Sequence, residues 1–211
     1  MQKVLLVTTA ALALTAASFT AAANPAGAFL RADIGKARYA VPSKLYDGKS
    51  ARAYELGGGY RWGLGEHVAL GAELGYADLG KVKYRATGTH RYGSRTYPLS
   101  TRSEIGSRAV LIGANLKWEL PQSFSVTGRA GIARMRTQHW SHTQAGPGSD
   151  YYRGTLKGGS RYLGLGVGYA VTSHLDVGID VTRYTSQISG IASRHRTLST
   201  RVLGMAIEAH L

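Results

Sequence analysis

The sequence predicts an all-β fold, an eight-stranded antiparallel up-and-down transmembrane β-barrel, and three observations predict it. Eight segments alternate apolar and polar residues with a period of two. The connections between them alternate long and short without exception. The polar face of the segments is built from glycine and isolated charges, within a chain holding 28 glycines and only 5 prolines.

The segments run, in order, over residues 28–39, 51–62, 68–79, 104–120, 124–138, 160–171, 175–185 and 197–211. Each is about ten residues or longer, the length a tilted strand needs to cross a bilayer and roughly twice that of an ordinary strand. In the first, Ala28, Leu30, Ala32 and Ile34 alternate with Phe29, Arg31, Asp33 and Gly35. The second sets Tyr54, Leu56, Gly58, Tyr60 and Trp62 against Glu55, Gly57, Gly59 and Arg61, and the third sets Leu70, Leu74 and Tyr76 against Gly71, Glu73 and Gly75. Val110, Ile112, Leu116 and Trp118 oppose Gly113, Asn115, Lys117 and Glu119 in the fourth. The seventh places Leu175, Val177, Ile179 and Val181 opposite Asp176, Gly178 and Asp180. The eighth places Leu203, Met205 and Ile207 opposite Gly204, Ala206, Glu208 and His210.

Alternation alone fits a soluble barrel with its apolar face inside as well as a membrane barrel with that face towards lipid. The composition of the polar face favours the membrane barrel. Glycine makes room in a narrow lumen for long charged side chains beside it, whereas a solvated sheet would carry Lys, Glu, Thr and Ser. Aromatics also gather near the strand ends as two interfacial girdles: Tyr60, Trp62, Trp118, Phe124 and Tyr169 at one rim, Tyr39, Tyr54, Tyr76, Tyr162 and Tyr184 at the other.

Connection length gives the orientation. Residues 63–67, 121–123 and 172–174 are the short turns; residues 40–50, 80–103, 139–159 and 186–196 are the long loops. Outer-membrane barrels have short periplasmic turns, longer external loops and an even strand number. Both termini are therefore expected in the periplasm.

At the start of the chain, Lys3, an apolar run from Val4 to Phe19 and the small residues Ala21-Ala22-Ala23 have the order of a secretory signal peptide. Residues 1–23 are read as that signal and residues 24–211 as one barrel domain. The chain has no cysteine, which excludes disulfides and thiolate chemistry. Its net charge of +14 points towards anionic partners.

Three stretches carry a family resemblance. The runs Tyr54-Glu55-Leu56-Gly57-Gly58-Gly59-Tyr60-Arg61, Ala72-Glu73-Leu74-Gly75-Tyr76-Ala77-Asp78-Leu79-Gly80-Lys81 and Gly128-Arg129-Ala130-Gly131-Ile132-Ala133-Arg134-Met135 are similar to strands of OmpA-like eight-stranded barrels. The resemblance implies an outer-membrane location and a polar, mostly plugged lumen. It also implies insertion by the barrel assembly machinery, which in such barrels reads a C-terminal aromatic residue. Here the sequence ends at Leu211, without a peptidoglycan-binding domain after the barrel.

The register brings Arg31, Asp33, Glu55, Arg61, Glu73, Lys117, Glu119, Arg129 and Glu208 to one interior. Unpaired charge in a confined lumen is costly, so an ion-pair network is expected. The connections are basic: Lys81, Lys83, Arg85, Arg91 and Arg95 lie in the second long loop, Arg153 and Lys157 in the third, interleaved with tyrosines. Arg and Lys among aromatics suit phosphate and sugar partners. The expected function is a non-enzymatic structural and surface-interaction role, with the loops binding lipopolysaccharide or another anionic glycan, including one on a host surface. No sequence-specific nucleic acid, metal or cofactor is expected. A small low-conductance channel is the alternative, and a lipid-modifying enzyme the third reading. The latter rests on His139-Trp140-Ser141-His142 with Ser149 and Asp150, placed in a loop with no strand to hold them.

Overall fold

In a computed structural model the chain closes into a barrel of eight antiparallel strands, each hydrogen-bonded to its sequence neighbours and the first to the last. The structure describes residues 26–40, 50–93, 95–146, 148–188 and 196–211. The expected signal peptide lies outside them, as do most of the first and last long connections. The strands are β1 (Gly27–Ala40), β2 (Ser50–Gly63), β3 (Val68–Tyr92), β4 (Arg95–Glu119), β5 (Phe124–Ala145), β6 (Gly148–Thr172), β7 (Leu175–Ile188) and β8 (Arg196–His210).

Tracing residue partners once around the barrel shows how it closes. Phe29 pairs with Gly59, and the path continues through Glu73, Gly113, Gly131, Tyr162, Tyr184 and Thr200 to return on β1 at Tyr39. The ladder thus gains ten residues of stagger per circuit, the tilt that closure of eight strands demands.

Which face is apolar decides the solvent. Leu30, Leu56, Leu74, Ile112, Ile132, Leu163, Ile179 and Met205 point outward, each more than half exposed, for instance Met205 at 67% and Leu163 at 66%. A continuous belt of this kind is not tolerated in water and is the lipid-facing band of a membrane barrel.

The predicted segments match the strands at the end that carries the chain termini, here termed the turn end. At the other, the hairpin end, residues 80–103 and 139–159 are not loops. They extend β3 to β6 into two ladders closed by tight turns, pairing continuously to Tyr92↔Arg95 and Ala145↔Gly148. β4 and β5 remain paired as far as Leu99↔Ala145, so the two hairpins fuse into one four-stranded wing above the barrel. The sequence there is polar on both faces, and a period-two reading keyed to apolar residues stops where the lipid stops.

One irregularity sets the face of the wing. Between Asp78 and Lys81 the β3–β4 register shifts by one residue. Gly80 adopts φ 72° at this bulge, and a Cβ there would lie 2.1 Å from the Arg52 carbonyl oxygen. Only glycine fits. The extra residue reverses the alternation, so Lys81, Lys83 and Arg85 face outward and are exposed, while Val82 faces in and is buried.

Candidate functional site

The lumen is filled in two layers. Near the turn end four buried cations meet six carboxylates in a connected network. Arg31 pairs with Asp33 at 2.9 Å and Asp180 at 2.6 Å. Arg61 donates to both oxygens of Glu208, and its Nε donates to Asn115 Oδ1 at 2.6 Å. Asn115 donates on to Glu73, which also accepts from Arg129 at 3.0 Å and from the Tyr162 hydroxyl at 2.7 Å. Arg129 reaches Glu55, which accepts from the Tyr184 hydroxyl at 2.7 Å. Lys117 pairs with Asp176 and with Glu208.

Of the nine predicted lumen charges, eight are brought together here: Arg31, Asp33, Glu55, Arg61, Glu73, Lys117, Arg129 and Glu208. Glu119 is the correction. It ends β4 at the mouth of the barrel, partly exposed, and enters no ion pair among the described residues, because water can solvate a carboxylate there. Asp176 and Asp180 complete the network; their place on the polar face of the seventh segment was the available signal. Asp176, Glu208 and His210 bring ligand atoms within 4.8 Å of one another. The Lys117 ammonium, 3.0 Å from His210 Nε2 and bonded to both carboxylates, already supplies the positive charge in that trio.

Towards the hairpin end the lumen carries an apolar cluster, with the buried hydroxyls of Ser107, Thr137, Ser160, Ser186 and Thr200 beside it. Ala37, Tyr39, Ala53, Ala77, Leu79, Val82, Ala109, Leu111, Ala133, Met135, Tyr162 and Tyr184 form one buried cluster. This adds an apolar part to the expected polar, mostly plugged lumen, and it corrects the expected second girdle of five tyrosines. Tyr39, Tyr162 and Tyr184 share the inward parity of their strands, and each hydroxyl has an acceptor inside; Tyr39 donates to the Leu79 carbonyl at 3.1 Å. Tyr54 and Tyr76 alone of that set face outward. Two cavities in the lumen measure about 20 and 10 Å³, room for roughly one water each.

The outer surface carries a feature that reading strand by strand missed. At the hairpin end, the outward residue two positions beyond the last apolar one is charged on every strand. In order these residues are Lys36, Arg52, Asp78, Arg108, Arg134, Arg161, Arg183 and Arg201. Seven are cations, and Asp78 accepts a hydrogen bond from Arg108 Nε at 3.0 Å. Allowing for the stagger of the ladder, the eight lie within about two residues of one level around the barrel. The turn-end rim carries Trp62, Trp118, Phe124 and Tyr169 instead. The signal was present as an apolar-to-cation step of two residues at the same end of each segment, Ile34 to Lys36 or Leu203 to Arg201, and becomes visible only when the strands are aligned.

Within this belt, and between it and the next outward residues Arg38 and Arg136, like charges face each other. Lys36 is opposite Arg52, Arg38 opposite Arg201, Arg201 opposite Arg183, and Arg108 opposite Arg136. Such cross-strand pairs are destabilising, where opposite charges would contribute about 0.2–1 kcal/mol each.

The residues predicted to form anion-binding loops instead stand on the wing. Lys81, Lys83, Arg85 and Arg91 follow the bulge on β3, Arg95 opens β4 at the hairpin tip, and Arg153 lies on β6. The backbone of Lys157 is opposite Arg136. The histidine cluster is also on a strand, paired on both sides. Alternation there divides it: His139 and Ser141 face one way, Trp140 and His142 the other, and Ser141 accepts from Ser103 at 3.0 Å. Four successive strand residues cannot converge on one reacting atom.

The chain matches the outer membrane protein beta-barrel domain family over residues 7–205. It is 28% identical over 128 residues to outer membrane protein P5 of Haemophilus influenzae, which covers 60% of this chain and 33% of that protein. The chain therefore spans about a third of the length of that relative. Among solved structures it is similar to Neisserial surface protein A, with 16% identity, a TM-score of 0.48, and coverage of 88% of this chain and 97% of the other. OprG from Pseudomonas aeruginosa gives 12% identity, a TM-score of 0.48 and coverage of 88% and 96%. Ail of Yersinia pestis gives 14%, 0.42, and 86% and 99%.

Proposed function

The chain belongs to the outer membrane protein β-barrel family, and on that premise we propose that it is a non-enzymatic structural and surface-interaction barrel whose cationic belt binds lipopolysaccharide, or a surface glycan of the same charge. The observation carrying this reading is the set of cation-over-cation pairs, Arg38 with Arg201 above all. A ring of like charge immediately above the lipid band is self-repelling in isolation. Multivalent anions at that height turn the repulsion into attraction, since guanidinium groups bind phosphate through paired hydrogen bonds.

The same asymmetry supports an orientation with the hairpin end outside and both chain ends in the periplasm, residues 1–23 acting as the export signal and the barrel assembly machinery inserting the strands. Lumenal cavities of one-water size argue for a closed barrel rather than a channel. The division of His139 and His142 between two faces argues against catalysis at that cluster.

The test is binding from phosphatidylcholine vesicles supplemented with lipopolysaccharide or, at matched charge, phosphatidylglycerol. The wild-type barrel is expected to prefer lipopolysaccharide, and Arg38→Gln with Arg201→Gln to weaken that preference. Equal binding of the two lipids, or variants that leave the preference intact, overturns the reading.

A further inference from the structure

From the belt onto the outer face of the wing runs a groove of about 620 Å³ between β3 and β6. Its aromatic wall is Trp140, partly buried, stacked on His142 at 6.3 Å and 25° and met edge-on by Tyr151 at 5.7 Å. Trp140 stands opposite Glu104 on one side and Arg153 on the other. Gly106, with the Lys81 side chain lying over it, separates Glu104 from Arg108 along β4. The two carboxylates are committed, Glu104 to Lys81 at 2.8 Å and Asp78 to Arg108 at 3.0 Å. Arg134, Arg136 and Arg153 line the same groove, exposed, and enter no ion pair among the described residues.

A flat indole held by two neighbouring rings offers an apolar platform with wet edges. The C–H face of a pyranose matches it. Gln138 alongside can exchange hydrogen bonds with ring hydroxyls, and the three uncommitted guanidinium groups call for a phosphate or carboxylate on the same sugar. The lower end of the groove is closed by Tyr76 and Val110, the last outward apolar residues of β3 and β4. An occupant held there has its sugar in the groove and its hydrophobic part along the lipid band.

We infer that this groove is a saccharide site for the phosphorylated headgroup of a glycolipid in the leaflet that surrounds it, with Trp140 as the stacking platform and Arg134, Arg136 and Arg153 as the anion contacts. The inference rests on the glycolipid reading of the belt and assigns it a defined sugar-binding position.

The three tryptophans make the test direct. Trp62 and Trp118 lie at the turn-end rim, so a Trp62→Phe/Trp118→Phe barrel reports from Trp140 alone. In phosphatidylcholine vesicles, adding lipopolysaccharide is expected to shift its emission and shield it from acrylamide, and phosphatidylglycerol at matched charge is expected to do neither. In the otherwise unaltered chain, Trp140→Ala should weaken lipopolysaccharide binding about fivefold and Trp140→Phe much less, the difference an aromatic platform makes; far-UV circular dichroism confirms that each variant is folded. If lipopolysaccharide binds in a belt-dependent manner while Trp140 stays equally accessible, the groove assignment falls and the belt reading stands. If no preference for lipopolysaccharide exists, both fall. If glucosamine 1-phosphate alone shields Trp140 as well as lipopolysaccharide does, the lipid source is wrong and the site takes a soluble sugar phosphate.

Discussion

Arg61 and Glu208, separated by 147 positions in the chain, meet inside the barrel with two parallel hydrogen bonds of 2.7 and 2.8 Å. Arg61 is 1% exposed, and its guanidinium also lies 3.9 Å above the Phe29 ring. Breaking a buried pair leaves an uncompensated charge and costs about 3–5 kcal/mol, whereas replacing both partners with apolar residues is close to neutral. Glu208→Leu is therefore expected to destabilise the barrel by that amount, since Lys117 loses a partner too. Adding Arg61→Leu should recover most of the loss. Urea unfolding in vesicles reads both values, and a double variant no more stable than the single one would contradict the pairing.

Gly113 and Gly131 are cross-strand partners that make room for the ring of Tyr162. A Cβ at Gly131 would lie 2.6 Å from Tyr162 Cε1 and 2.3 Å from the Ile112 carbonyl oxygen; at Gly159 it would meet nothing within 4 Å. Gly131→Ala should lower stability by about 1–3 kcal/mol through overpacking, and Gly159→Ala should not. Tyr162→Ala should leave Gly131→Ala defective, because the backbone clash remains. Full rescue would show that the tyrosine alone sets the glycine requirement.

The lumen was legible in the sequence because inward parity is locked to the outward apolar pattern: once Leu30 and Ile34 face lipid, Arg31 and Asp33 must face in. The same rule reaches Asp176 and Asp180, which were not among the nine expected lumen charges, and the long-range partners of each charge depend on the closure stagger, which no single segment encodes. Parity also requires Tyr39 to point inward, against its reading as a girdle residue; aromatic identity was allowed to outweigh register. The wing was not legible, because beyond Val82 on β3 and from His139 to Ala145 on β5 the sequence carries no sustained apolar period to detect. The bulge at Gly80 reverses the alternation as well, and a lone glycine in a glycine-rich chain does not announce that.

The apolar cluster gives the lumen a second closure beyond the ionic network. Leu111 is fully buried in it and Tyr39 is tied across it to the Leu79 carbonyl. A refolded wild-type barrel is therefore expected to be silent in a planar bilayer. Glu208→Gln should remain silent, because it leaves the apolar cluster in place. Tyr39→Ala combined with Leu111→Ala should give small discrete openings, as the waters admitted there meet the charges below. Steps from the wild type, or from Glu208→Gln alone, would mean that the ionic layer is the gate.

Arg38 and Arg201 give the belt a test whose sign depends on the lipid. In neutral phosphatidylcholine the two guanidinium groups repel across the β1–β8 seam, and neutralising one relieves about 0.2–1 kcal/mol. Arg201→Gln should therefore slightly stabilise the barrel there, the more so because Arg183 is also opposite it. With lipopolysaccharide present, the same change removes a phosphate contact, and charge-assisted hydrogen bonds are each worth about 1.5–3 kcal/mol. The loss outweighs the relief, so Arg201→Gln should now destabilise. Raising salt should shrink both effects, because exposed charges are screened within about 10 Å at 0.1 M. A variant stabilising in both lipids would mean that the repulsion is never answered, and a variant neutral in both would mean that solvent already screens the belt. Only the reversal fits a ring of cations maintained for an anionic leaflet.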